Sequence, residues 1–597
     1  MQSVWGRKAS AGHPTPGFFY LVICAFAAIV LIVNLGNSQE RRTIRRLTVS
    51  GNASVSSGTI AKWLDSQPAG PFVASDVQTI ASRYAAEGFP MARVDSMTFQ
   101  PAADTSEVDV SLWIREGKPA RLSSLRLDGL KALSEATARS VLKTTVGQKF
   151  VPALLEQDIG GLLTAYEKSG YPFAKVSLGE ISFEEERDSL GANIVLVIEE
   201  GILARINHLR VDGNTTTKTS LIVREARIAD GEIFRGGQPE KVKQRLQKLQ
   251  LFSTVSLPEL YVHDDGSVGL AVKVTEGNPN RFDGLVGYVP ALGSSGGYVT
   301  GLVDVQFRNI FGTGRRFAAR WFRENQSSQE IDLRYREPWV SSLPVNADLG
   351  FFQRKQDSTY VRSTFRFAAD LMATDELSLG LVFSSEQVTP TEGSGRRMVS
   401  ESRALDIGFV VSYDSRNDPA TPTSGFNYRT EYATGFKEIT SSYLHGQNNR
   451  SATQKLSFDF EFVTSPFEKH VVAVNLYARD FRSNAVELSD LFRLGGANTL
   501  RGYGEGQFLG SRIAWTNLEY RFLAGQRSYF FGFIDAGYVL TPDRPEVGLV
   551  RQEMNRVGYG AGLRIDTPLG LIGVSLAFGN GDTFGTSKLH IRLANEF

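Results

Sequence analysis

The pattern of apolar and polar positions changes character near residue 277. Before that point short alternating stretches are interleaved with helical spacing, as at Ile159, Leu162 and Tyr166, which fall on one helix face. After it the helical spacing stops and strict alternation takes over. "EIDLRYREP" sets Ile331, Leu333 and Tyr335 against Asp332, Arg334 and Arg336. "KLSFDFEF" sets Leu456, Phe458, Phe460 and Phe462 against Ser457, Asp459 and Glu461, and "TNLEYRF" sets Leu518, Tyr520 and Phe522 against Asn517, Glu519 and Arg521. Sixteen such strands are expected, starting near Phe282, Tyr298, Gly314, Gln329, Val345, Thr359, Glu376, Ser402, Ser424, Thr453, His470, Ser511, Ser528, Val557, Leu569 and Thr586. That leaves about twenty residues for each strand and its connection, which suits tilted membrane strands of about 9–11 residues. The greasy face would meet lipid and the charged face a polar lumen, and a closed barrel leaves no unpaired edge in hydrocarbon. A soluble sandwich can alternate in the same way against a core, but the number and even count of strands favour a sixteen-stranded antiparallel transmembrane β-barrel over residues 278–597.

The first half repeats itself. "LTVSGN" at Leu47, "LRLDGL" at Leu125 and "LRVDGN" at Leu209 open three units, and "IREG", "IEEG" and "VTEG" close them at Gly117, Gly201 and Gly277. The first two units share an interior phrase, "YAAEGFPMARV" from Tyr84 and "YEKSGYPFAKV" from Tyr166; the third has "LQKLQLFSTV" from Leu246. Each unit reads as a small α+β domain in the order β-α-α-β-β, over residues 42–117, 119–201 and 203–277. The glycine-proline phrase stops the second helix and turns the chain into a strand. Such sheets can offer an edge to another chain's strand. The third unit runs into the barrel at Asn278 with almost no linker, which makes it the expected docking repeat.

Composition adds little beyond location. A formal net charge of +1 gives no global pull toward nucleic acid, and the six histidines are scattered without metal-site spacing. The single cysteine, Cys24, supports neither a disulfide framework nor a catalytic thiol. Arg7 and Lys8 precede the apolar run Phe18–Val33, and Gly36 and Ser38 stand at plausible cleavage positions, so residues 1–38 read as an export signal with a mature start near Gln39. The competing reading is a membrane anchor, for which the run is short.

The stretch "GGANTLRGYGEG", Gly495–Gly506, lies between the eleventh and twelfth predicted strands and carries the lone cation Arg501. A phosphate cradle needs a following helix, yet "GSRIAWTNLEYRF" is a strand. An arginine inside a lumen needs a carboxylate or water, because burying it unpaired is costly. "GSSGG" at Gly293–Gly297 matches a serine-hydrolase elbow only in letters, since no strand-to-helix turn surrounds it. Asp264–Asp265 reads as a turn, and "GYGAG" at Gly558–Gly562 as strand glycine that curves the barrel. No catalytic set emerges, so no enzyme and no cofactor is expected.

With these motifs in order, the chain resembles the BamA/TamA-type outer-membrane β-barrel assembly factors, of the POTRA-containing bacterial surface antigen superfamily. "LRGYGEG" at Leu500–Gly506 resembles the arginine-glycine-aromatic signature of the family's inward-folding loop, and "FIDAGYV" at Phe533–Val539 its lumen-facing aspartate-glycine strand. "YDSRNDPATPTSGF" from Tyr413, "RNIFGTGRRF" at Arg308–Phe317 and "GLRIDTPLGLIGVSLAFG" at Gly562–Gly579 are similar to its turns and hairpins. The resemblance implies three POTRA repeats before the barrel. It also implies a motif of Arg501, Gly502, Tyr503, Asp535 and Gly537 in which Arg501 meets Asp535, with Gly502 and Gly504 letting the loop lie close to the wall. Phe597 would be a terminal barrel signal. The implied function is an outer-membrane insertase for unfolded β-barrel clients, TamA-like more than BamA-like, with its POTRA repeats in the periplasm. Periplasmic chaperones or accessory assembly proteins would bind the repeats, outer-membrane lipid would surround the barrel, and nucleic acid would play no part. A two-partner-secretion pore is the rival. Finally, the polar alternate positions Lys588, His590 and Arg592 of the last strand and the glycines Gly284 and Gly287 of the first predict weak pairing where the barrel closes.

Overall fold

The computed structural model describes residues 43–64, 76–101, 107–264, 266–289, 298–323, 325–392, 399–419, 421–441, 449–525, 527–545, 548–567 and 570–596. The export signal, the "GSSGG" stretch and Phe597 lie outside these residues.

The first repeat runs strand Thr43–Ser50, helices Ser57–Trp63 and Asp76–Ala86, then strands Arg93–Pro101 and Glu107–Arg115. The last strand lies in the middle of the sheet, parallel to the first and antiparallel to the second. The second repeat follows the same order, with strands Ala120–Asp128, Lys175–Glu185 and Leu190–Glu199 and the last again central. Alternation explains the core: Val108, Val110, Leu112 and Ile114 of the first repeat's central strand all point inward and are buried.

The recurring letters at the two ends of each unit meet in space. Gly51, Gly129 and Gly213 have φ of 81°, 98° and 93°. A Cβ on each would stand 2.1–2.2 Å from the carbonyl oxygen of Ile114, Ile198 and Val274 respectively, the first residue of each closing motif. Only glycine meets both demands. The closing glutamate then caps the loop that follows that glycine. Glu116 accepts from the N–H groups of Ser54 and Val55, Glu200 from Lys131 and Ala132, and Glu276 from Thr216 and Thr217.

Burial alone would push the Glu276 carboxyl up, but the Thr215 hydroxyl and the N–H groups of Thr216 and Thr217 outweigh it and bring it from 4.5 to about 2. A depressed pKa contributes stability that is present above 4.5 and lost as pH falls toward 2. Glu276→Gln is therefore expected to cost about 1 kcal/mol of local stability at neutral pH, discounted for partial exposure. Hydrogen exchange at the Thr216 and Thr217 amides in the full chain reads this, and the gap between variant and parent should close as pH approaches 2.

The third repeat departs from the plan. Its helices, Thr219–Ala226 and Gln238–Lys248, follow strand Arg205–Asp212, but the expected second strand is split into Phe252–Val255 and Glu259–Val262. Pro258, between the pieces, has no N–H for a ladder. With a two-residue strand at Glu232–Ile233 the sheet becomes five-stranded. Two of the scattered histidines come together on it, the rings of His208 and His263 lying 5.1 Å apart.

The barrel is closed by sixteen antiparallel strands, from Arg281–Val289 to Lys588–Glu596. Each begins within five residues of its expected start. The alternation has the expected sense: Leu405, Ile407 and Phe409 are exposed on the lipid side, while Ala404 and Asp406 are buried. Inside, arginine–carboxylate pairs such as Arg336–Asp370 and Arg479–Asp459 border a cavity of about 530 Å³.

The third repeat docks on the rim where even-numbered strands turn into odd ones. The hairpin 311–314 inside "RNIFGTGRRF" accepts the Lys218 N–H at the Gly312 carbonyl, 3.0 Å, and Asn309 donates to the Thr217 hydroxyl. Asp375 sits between Arg227 (3.1 Å) and Arg245 (2.9 Å), Trp339 lies under the guanidinium groups of Arg224 and Arg227, and Lys248 donates to the Asp414 carbonyl. The aspartate-arginine turn closes on itself, Arg416 gripping Asp414 at 2.9 and 2.8 Å and Glu461 at 2.6 Å.

Candidate functional site

The third repeat meets the rim where even-numbered strands turn into odd ones, so connections after odd-numbered strands open on the opposite face of the barrel. The largest of these, residues 484–511, leaves the eleventh strand, His470–Ser483, and returns to the twelfth, Arg512–Leu523. It folds inward. Phe492–Leu494 pairs with Phe508–Gly510 as a two-stranded stem, and the glycine-rich stretch is its tip.

The tip brings Arg501 to the thirteenth strand, Tyr529–Thr541, whose alternation points Phe531, Phe533, Asp535 and Gly537 inward and Phe530 and Ile534 to lipid. Asp535 is fully buried. It accepts three bonds from Arg501: one from the backbone N–H at 3.0 Å, one from Nε at 2.8 Å and one from Nη2 at 2.7 Å. The remaining nitrogen, Nη1, donates to Glu519 at 2.7 Å, and Glu519 in turn holds Arg521. Two cations and two carboxylates thus form a neutral chain, as burial requires. The guanidinium also lies 3.5 Å from the Phe533 ring centroid, a cation–π contact with its own attraction.

Glycines make the room. Gly558 stands directly opposite Asp535 in the ladder, and a Cβ there would lie 1.9 Å from the Arg501 carbonyl oxygen. Gly558 is therefore a close-approach glycine, where the sequence led us to expect one that curves the wall. Gly502 has φ of 90°, and a Cβ on it would meet Phe578 backbone at 2.6 Å. Gly504 does not share this role, since its nearest neighbour would be the Gln507 side chain at 3.5 Å. Gly537 clears the Leu494 and Leu500 side chains, which pack over it. The Tyr503 hydroxyl accepts from the Asn580 N–H at 3.0 Å and donates to the Val557 carbonyl at 2.9 Å. All five motif residues within the described part of the chain thus converge at one place.

Sequence reasoning missed Glu519, Asn517, Gly558 and Gly579 as parts of this site. Asn517 donates to the Thr499 carbonyl at 2.8 Å, and Gly579 leaves space for the Gly502 carbonyl. The signal was partly visible, because "TNLEYRF" had already placed Asn517, Glu519 and Arg521 on the charged face. The site can hold a loop against a wall; among the described residues no group of three or more His, Cys, Asp or Glu is placed to bind a metal.

A second feature is the closure. The first and second strands are joined by nine residue pairs and the fifteenth and sixteenth by seven, but the sixteenth meets the first through only Arg281↔Glu596 and Phe282↔Asn595 among the described residues.

A sequence model of the Omp85 superfamily domain matches residues 309–597, and the surface antigen variable number repeat, POTRA, matches residues 42–117, 120–201 and 204–277. An outer membrane protein assembly factor BamA of Nitratidesulfovibrio vulgaris is 23% identical over 458 residues, covering 72% of this chain and 56% of that protein. Its namesake in Neisseria meningitidis is 20% identical over 384 residues, 63% of this chain and 44% of that one. The chain spans about half the length of these curated relatives. The crystal structure of BamA from Haemophilus ducreyi lacking POTRA domains 1-3 superposes with a TM-score of 0.49 at 18% identity, covering 80% of this chain and all of that one.

Proposed function

The chain belongs to the Omp85 superfamily, and we propose that it is a non-enzymatic assembly factor that folds and inserts β-barrel proteins into the bacterial outer membrane. Its barrel lies in that membrane, with the POTRA repeats of residues 42–117, 119–201 and 203–277 in the periplasm. The observation that carries the proposal is the closure by two residue pairs among the described residues. Unpaired strand edges facing a membrane are costly to leave open and ready to accept a partner strand, which is the chemistry an incoming barrel client offers. The relatives named as outer membrane protein assembly factors support the same reading. Arg501, Gly502, Tyr503, Asp535 and Gly537 hold the inward loop against the wall while that edge is closed, and repeat sheet edges such as Arg93–Pro101 and Lys175–Glu185 receive clients or accessory proteins before they reach the barrel.

The test is depletion of the protein followed by outer-membrane proteomics. Loss of many different barrel proteins is the expected result. Loss of a single large secreted protein, with barrels intact, would replace the insertase by a secretion pore.

A further inference from the structure

The inward loop is held at two ends, and we propose that it is a strut across the lumen in which Lys437 is the positioning residue of the fixed end and Arg501 the releasable one. The proposal rests on the insertase reading only for what the strut is for; the anchoring itself is geometry.

Lys437 belongs to the ninth strand, Gly425–Ser441. Its ammonium lies 2.7 Å from Asp490 and 3.5 Å from Glu487, and the three side chains are 3%, 2% and 0% exposed. Asp490 also accepts the Glu487 N–H, and Glu487 the Ser400 N–H. Around this pair Arg362 donates to the Ser489 carbonyl at 2.8 Å and Arg493 to Gln356 at 2.5 Å, and Leu488 packs on Tyr360, Val388 and Val399. The polar contacts of residues 485–493 thus run to the fifth through ninth strands, with Val486 and Leu491 also packing on Phe481 and Leu549, whereas those of residues 499–503 run to the twelfth through fifteenth.

In a ring of sixteen strands the ninth lies half-way round from the first. The Lys437 end therefore grips the wall opposite the weak closure, and the Arg501 end grips the wall that leads up to it. Between the two anchors stand Gly495 and Gly496, with φ of 122° and 100°, where glycine leaves the backbone more freedom to turn than any other residue would. Removing Lys437 would leave two buried carboxylates without their cation, which is the expensive way to break an ion pair. A wall that shifts when the closure opens must release one end of a body tied to both walls. The hinge assigns that release to the tip, with Lys437 holding the rest of the loop in register for its return.

The test uses the full chain in outer membranes with Cys24→Ser and one reporter thiol, either Ala485→Cys or Leu500→Cys, both at buried positions. Labelling by a membrane-impermeant maleimide is counted only in protein that migrates as a folded barrel without heating. Lys437→Met is expected to speed labelling of Ala485→Cys by at least about tenfold while leaving Leu500→Cys protected, and Arg501→Ala to do the reverse. Adding Glu487→Gln and Asp490→Asn to Lys437→Met should restore protection, because no unpaired charge then remains. Continued protection of Ala485→Cys in Lys437→Met overturns the anchor. Equal exposure of both reporters in either variant overturns the strut, because the loop would then leave as one body. A folded triple variant that stays exposed assigns the effect to packing and overturns the role of charge. Client insertion is assayed on the same strains, so the insertase reading can fail while this labelling pattern stands.

Discussion

Arg501→Ala is expected to slow client insertion by at least about a hundredfold, Asp535→Ala by a comparable factor, and the double variant by no more than the worse single one. The reason is the shared bond set. Asp535 has no exposed surface and receives three bonds from Arg501. Removing the arginine side chain leaves the carboxylate buried with one backbone N–H, a loss of about 3–5 kcal/mol for a pair of this kind. Removing the aspartate strands the guanidinium in turn, although Glu519 still holds Nη1. Glu519→Gln should therefore cost less than either, and its effect should spread to Arg521. Arg501→Lys is expected to restore only part of the rate, since a single ammonium cannot bridge Asp535 in bidentate fashion and reach Glu519 as well. A double-mutant cycle on insertion rates measures the coupling. Fully additive losses would show that the contact between loop and wall has no part in insertion.

How far the sequence carried this site depends on the kind of interaction. Alternation is a local property, and it placed Glu519 on the lumen face because side chains in a strand alternate whatever the tertiary context, whereas Asp535 was expected there from the resemblance of "FIDAGYV" to the family's strand. The repeats were legible for a similar reason, since glycine and glutamate recur wherever the same turn must be built. What alternation cannot give is the path of a loop through the lumen. Lys437 and Asp490 are 53 residues apart and meet only because the loop folds inward, so nothing in the letters around Lys437 distinguishes it from other lumen-facing cations. Gly558 was misread for the same reason. A strand glycine is equally consistent with curvature and with close approach, and only the position of the Arg501 carbonyl decides. The split strand of the third repeat was legible in part: the missing glycine-proline phrase marked it as different, while the break at Pro258 follows from a proline that the pattern alone could have placed at an edge.

The last expectation concerns the closure, and the structure supplies the register needed to test it. Phe282 and Asn595 lie directly opposite one another. In an antiparallel ladder such pairs have Cα atoms about 4.5–5.5 Å apart, within the range a disulfide spans. Phe282→Cys with Asn595→Cys, in a Cys24→Ser chain that has no other thiol, should oxidise to a single bond across the seam. Insertion is expected to fall to less than about a tenth of normal in the oxidised protein and to recover on reduction, because a covalent seam can no longer offer its edge to a client strand. The control is a disulfide that should not matter: Ala369→Cys with Leu381→Cys, a pair joining the sixth and seventh strands through a ladder of thirteen residue pairs, should leave insertion unchanged. The physical contrast lies in what each bond adds. Between the sixth and seventh strands the ladder already prevents separation. At the seam two residue pairs among the described residues do, and net backbone hydrogen bonds contribute only about 0.5–1.5 kcal/mol each, so an incoming strand with a longer ladder to form can displace them. If the verified seam crosslink leaves client insertion at its normal rate, clients do not enter the membrane by pairing with this edge.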